Sequence, residues 1–143
     1  HLLDINGLIA PAASAISIMQ APAPGFIQLR AAHGQPAPLT ENGFIRILSQ
    51  PSYPAFSGTS ENTRKTLMTL TSNPGHQFWP DSVSLRDTQT FPRLSGAKNL
   101  TDLYLLALAV SHKAAFTTLD RRINPGLVNG GPSAYFLVPD SSI

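Results

Sequence analysis

Leu100-Thr101-Asp102-Leu103-Tyr104-Leu105-Leu106-Ala107-Leu108-Ala109-Val110-Ser111-His112-Lys113 runs directly into Ala114-Ala115-Phe116-Thr117-Thr118-Leu119-Asp120-Arg121-Arg122. Thr101 is a good N-cap, and Asp102 falls in the first helical turn, where the helix dipole favours an anion. Leu103 through Val110 is apolar all round, which predicts a helix covered by neighbours on most sides. Ser111-His112-Lys113 closes it, and 114–119 reads as a strand ending at Asp120. A helix that leads at short spacing into a strand is the building unit of an α/β domain with a mainly parallel sheet.

Outward from this unit the alternation continues. Leu2-Leu3-Asp4-Ile5 reads as a short buried strand with a carboxylate near its C-terminal end, followed by the polar pair Asn6-Gly7. Ala-rich pieces predict a short helix over 8–19, and Pro22, Pro24, Gly25, Pro36 and Pro38 break any longer one. Periodicity returns at Leu39-Thr40-Glu41-Asn42-Gly43-Phe44-Ile45-Arg46-Ile47-Leu48, with Thr40 as the expected cap and Phe44, Ile45 and Leu48 on one face. A Pro/Gly/Ser-rich loop over 50–60 precedes a second helix over 61–72, ended by Asn73-Pro74-Gly75. His76-Gln77-Phe78-Trp79 is strand-like, and a Gly/Pro-rich connection over 124–132 leads to a last strand over 134–138. A chain of 143 residues without internal repeats is read as a single domain, 1–143.

Composition excludes several chemistries. With no cysteine, disulfide frameworks, Cys-ligated zinc, Fe–S clusters and thiol nucleophiles are impossible, and folding in a reducing cytoplasm is expected. No charge occurs over 5–29, but Asn6, Pro11, Gln20, Pro22 and Pro24 interrupt that run. Asp4 stands where a signal peptide needs a basic residue. The apolar run 103–110 is too short to span a bilayer, so no membrane partner is expected.

Only 13% of the residues are charged, eight acids against ten bases, about half the usual share. Asp4 and Asp120 each close a predicted strand, while Glu41 and Asp102 each open a predicted helix directly after a threonine. In parallel α/β sheets, strand C-termini and helix N-termini share the edge at which ligands bind, so these four carboxylates are expected to converge. Glu61, Asp81, Asp87 and Asp140 read as surface charge. Taken singly, each of the four is explained by capping or turn formation; it is their joint placement that points to chemistry. Converging carboxylates repel unless protons or a cation neutralise them, and an all-oxygen donor set suits Mg²⁺ or Mn²⁺. Those ions bring phosphate esters, and the chemistry implied is metal-assisted phosphodiester hydrolysis.

Four segments, Leu2-Leu3-Asp4-Ile5-Asn6, 39–46, 100–109 and Phe116-Thr117-Thr118-Leu119-Asp120-Arg121, resemble in order and spacing the motifs of PIN-domain ribonucleases. The nearest variety is the VapC-like toxin of type II toxin–antitoxin pairs. Phe78-Trp79-Pro80-Asp81 is similar to a strand and turn of that subgroup, and the likeness extends from Leu2 to about Val138. The chain departs from the pattern over 7–38, where prolines stand in place of helical sequence. The resemblance implies a three-layer α/β/α sandwich around a mainly parallel sheet, Mg²⁺- or Mn²⁺-dependent endoribonuclease activity on RNA, inhibition by a cognate antitoxin protein, and a homodimer. It makes Asp4, Glu41, Asp102 and Asp120 the acidic quartet, catalytic and metal-binding, with Asn6 and Thr101 as supporting polar positions that orient a carboxylate or a bound water.

Arg46, Arg121 and Arg122 are the candidates for RNA phosphate contacts, with an ion pair that offsets the acids as an equal alternative. Lys98 and Lys113 read as solvated. His33, His76 and His112 lack partners at metal spacing, and His112 sits where a helix dipole favours it. Phe78 and Trp79 read as core. No Gly-x-Ser-x-Gly elbow or phosphate-binding glycine loop occurs. The irregular 7–38 segment motivates an alternative function, a catalytically weak or inactive PIN-like module that binds RNA or a protein. DNA hydrolysis would use the same metal chemistry, and the choice of RNA rests on the resemblance.

Overall fold

A computed structural model describes residues 2–3, 35–53, 59–72 and 74–137 of the 143. Asp4, Asn6, His33, Asp140 and the predicted helix over 8–19 lie outside the described residues. In chain order the elements are β1 (Leu2–Leu3), α1 (Pro38–Leu48), α2 (Ser60–Leu70), α3 (Leu100–Ser111), β2 (Phe116–Thr118), α4 (Gly131–Ala134) and β3 (Tyr135–Leu137). Single 3₁₀ turns occupy Ala97–Asn99 and Pro125–Leu127. The arrangement is α/β. Among the described residues the sheet has the order β1-β2-β3 and is parallel throughout, with Leu2 opposite Phe116, Thr117 opposite Phe136 and Thr118 opposite Leu137.

The apolar run of α3 has the burial its sequence requires. Leu103, Leu105, Leu106, Ala107, Leu108 and Ala109 are all buried, because the helix lies on β1 and β2 and also meets α4 and the Pro125–Leu127 turn. Leu2, Phe116, Phe91, Ile123 and Val128 are among the residues that join this core. Gly131 lets α4 approach that turn: a Cβ there would stand 2.3 Å from the Pro125 carbonyl oxygen, which only glycine avoids.

The end of α3 is a Schellman motif. The N–H of Lys113 donates to the Val110 carbonyl (3.0 Å) and that of Ala114 to the Ala109 carbonyl (2.9 Å), with Lys113 in the left-handed region at φ 52°. This three-residue closure reverses the chain at once into β2. His112, at the C-cap, stacks flat on Trp79 with ring centroids 4.2 Å apart.

A second small core joins α1 and α2 through Phe44, Leu48 and Leu67, with Ser49 Oγ donating to Thr63 Oγ1 at 3.2 Å. Thr59 caps α2 through the Asn62 N–H.

Several sequence expectations are corrected here. Thr40 does not cap α1: the helix starts at Pro38, whose fixed φ and missing N–H suit the first helical position, and Ala37 is the N-cap. Thr40 is buried inside the helix, and its hydroxyl has no hydrogen-bond partner among the described residues. Thr101 does not cap α3 either, because the 3₁₀ turn before it carries the chain into the helix and makes Asn99 the N-cap.

The 76–79 segment is not a strand. Gln35, which bridges in parallel to Leu2, uses its side-chain amide to donate to the Gly75 carbonyl (2.9 Å) and accept from the Gln77 N–H, so polar backbone groups of that stretch are satisfied without a ladder. Trp79 is core, but Phe78 is 60% exposed. The strands are shorter than expected, and Ala134 ends α4 instead of opening β3.

Lys113→Gly is expected to stabilise the protein by about 0.5–1 kcal/mol, since glycine adopts the left-handed conformation without the steric cost that a Cβ brings. Urea unfolding of the two proteins checks this; an unchanged or lower midpoint would contradict it.

Candidate active site

Asp120 lies two residues beyond β2 and is fixed at three points. Its N–H donates to Thr118 Oγ1 (3.0 Å), and its carbonyl accepts from the Tyr135 hydroxyl on β3 (3.1 Å). Its carboxylate is gripped by Arg122: Oδ1 accepts from the Arg122 backbone N–H (2.8 Å) and Nε (3.0 Å), and Oδ2 accepts from Nη2 (2.8 Å). These hydrogen bonds hold the Asp120 carboxyl below the usual carboxylate range. Asp120 is 14% exposed at its side chain and Arg122 is 80% exposed, so the pair sits at the rim of the structure.

Asn99 connects this turn to α3. Its side-chain amide donates to the Arg122 carbonyl (3.3 Å), tying the residue before the helix to the segment after the strand. Asp102, half-buried in the first turn of α3, is near enough for its charge to act on Arg122. Asp102 and Asp120 therefore share one edge, as the helix-start and strand-end logic requires. Thr101, half-buried, is next to Asp102.

Glu41 is half-buried in the first turn of α1. Burial pushes its carboxyl above the ordinary range, His76 acts against that shift, and the Asp81 charge adds to it. Burial also raises the Tyr104 phenol, and the Asp81 charge adds to that shift. Asp81, read from sequence as plain surface charge, is thus electrostatically part of the Glu41 neighbourhood. No helix or strand end marks it, so position in the sequence carries no signal for it. The same lack of signal holds for Asn99, Thr118 and Tyr135, whose contribution is a side-chain bond to the main chain of Asp120 or Arg122.

Glu61 and Asp87 behave as expected of surface groups. Glu61 pairs with Arg64 (2.7 Å), and Asp87 binds the Gln89 N–H (2.9 Å) and the Thr90 hydroxyl (2.6 Å) within its own turn. Arg46 is exposed in the last turn of α1, and Arg121 is exposed beside Asp120. Arg122, a phosphate-contact candidate, takes the alternative role of an ion-pair partner to the acids. A cleft of about 380 Å³ opens at the opposite edge of the sheet, lined largely by Val110, Lys113, Ala115 and Ser133. It has no carboxylate in its lining, so acid-dependent chemistry does not belong there.

The candidate donors Glu41, Asp102 and Asp120 are all carboxylates, the type that suits a hard divalent cation, and a cation beside Glu41 would offset the burial that raises its carboxyl. Among the described residues no three His, Asp or Glu side chains stand close enough to hold an ion, and Asp4 lies outside those residues.

Comparison with known proteins places this geometry in context. A Mycobacterium tuberculosis protein named Ribonuclease VapC44 is 40% identical over 87 residues, which cover 59% of this chain and 61% of the relative. Ribonuclease VapC39 of the same organism is 34% identical over 121 residues, covering 83% of this chain and 87% of the relative. Ribonuclease VapC38 is 35% identical over 121 residues, covering 83% and 84%. The chain thus spans about three fifths of the VapC44 length and most of the other two. No protein-family model matches it.

A carboxyl whose folded pKa is depressed stabilises the fold above the unfolded-state value of about 3.9 and loses that contribution as pH falls through the folded value. Asp120→Asn is therefore expected to lower the urea midpoint near neutral pH, with the gap to wild type closing in acid. A gap that is the same at every pH would contradict the pairing described for Asp120.

Proposed function

The chain belongs to the VapC-like toxins of the PIN-domain ribonucleases, and from that premise we propose that it is an Mg²⁺- or Mn²⁺-dependent endoribonuclease. The observation that carries this reading is the joining of Asp102 and Asp120 at one edge through Asn99 and Arg122. The names of its relatives supply the substrate class. The proposal extends to one domain over 1–143 with a three-layer α/β/α sandwich, a homodimer, and a cognate antitoxin as inhibitory partner. The packing of α3 on the parallel sheet supports the layered fold.

In this mechanism Asp4, Asp102 and Asp120 would hold the cation, and Glu41 would complete the quartet as ligand or base. When bound, the ion supplies charge stabilisation to the phosphodiester and acidifies water. Glu41 is suited to accept a proton at a carboxylate oxygen, because burial lifts its carboxyl toward the range in which proton acceptance is effective. The fixed main chain of Asp120 presents its carboxylate in one orientation, which lowers the cost of ordering the site. Asn6 and Thr101 orient carboxylates, and the exposed Arg46 and Arg121 draw RNA phosphates to the rim.

Asp102→Asn and Asp120→Asn are each expected to lower the rate of RNA cleavage in Mg²⁺ by about 100-fold or more, ~2.7 kcal/mol of barrier, while Asp87→Asn leaves it unchanged. Timed digestion of total RNA by the folded variants measures this. Cleavage that persists in EDTA, or in both acid variants, would overturn the reading; RNA binding without cleavage by wild type would favour a non-catalytic module.

A further inference from the structure

We propose that Arg122 is a positioning residue acting through Asp120, and that its guanidinium is an internal competitor of the divalent cation for that carboxylate; this rests on the metal-dependent reading above. The guanidinium engages both Asp120 oxygens, Nε on Oδ1 at 3.0 Å and Nη2 on Oδ2 at 2.8 Å. A two-pronged guanidinium on a carboxylate fills the lone-pair directions that a cation would use, so an ion taking either oxygen must share or displace it. The positive charge of Arg122 also repels a second cation arriving at Asp102, whose field it already feels.

Displacement is easy here. The Arg122 side chain is 80% exposed, so it is not pinned by packing, and an exposed ion pair contributes little. Removing the guanidinium also leaves Asp120 in place. Its main chain is held by Thr118 Oγ1 and by the Tyr135 hydroxyl, and the backbone N–H of residue 122, which binds Oδ1 at 2.8 Å, survives any substitution except proline. The carboxylate therefore stays presented while its competitor is gone. A residue that merely stabilised the turn would have the opposite effect, since its loss would disorder a ligand and weaken the ion.

Calorimetric titration with Mn²⁺ of the wild-type chain, Arg122→Ala and Arg122→Lys tests this. The expected result is affinity about two- to fivefold tighter in Arg122→Ala, the scale of an exposed ion pair, with Arg122→Lys between the two because it keeps the charge and loses the fork. Affinity unchanged or weaker in Arg122→Ala overturns the proposal and leaves the metal-dependent reading standing. No Mn²⁺ uptake by any of the three proteins at millimolar concentration overturns that reading and this proposal with it.

Discussion

Burial of α3 on several sides at once fixes the rest of the molecule. A helix with no polar stripe from Leu103 to Ala109 is stable only when the sheet covers one side and another element covers the next, and here β1, β2, α4 and the Pro125–Leu127 turn do so. The Schellman closure at Lys113 then sends the chain back along the helix as β2. Helix and strand run in opposite directions, so the first turn of α3 and the exit of β2 meet at the same edge. Asp102 and Asp120 are neighbours because of that packing, although 18 positions separate them in sequence.

At that edge, main-chain hydrogen bonds do the ordering and charges do the tuning. Asp120 is held by Thr118 from its own strand and by Tyr135 from the next, and Asn99 reaches across from the helix start. Hydrogen bonds from Arg122 lower the Asp120 carboxyl, and in the first turn of α1 burial raises that of Glu41.

Much of this was legible in the residues. The all-apolar run announced α3, and the spacing from Ser111 to Phe116 announced a helix leading into a parallel strand. The count of eight acids made the placement of Asp102 and Asp120 conspicuous. Where the reading missed, tertiary context outweighed local preference. Thr40 and Thr101 have good capping side chains, but Pro38 and the 3₁₀ turn at Ala97–Asn99 start their helices earlier. The alternation at His76-Gln77-Phe78-Trp79 suits a strand, but the Gln35 amide takes the backbone groups that a ladder would need. Asp81 sits in an irregular segment with no periodicity to orient it, so its place beside Tyr104 emerges only in three dimensions.

In the proposed cation-binding edge, the acids at the end of β2 and at the starts of α1 and α3 act together. Paramagnetic line broadening by substoichiometric Mn²⁺ in an amide NMR spectrum reads that edge directly. The amides of Glu41, Asp102 and Asp120 are predicted to lose intensity first, while those of Glu61, Asp87 and Lys113 persist. Broadening centred on Glu61 or Asp87, or spread evenly over all the surface acids, would contradict it.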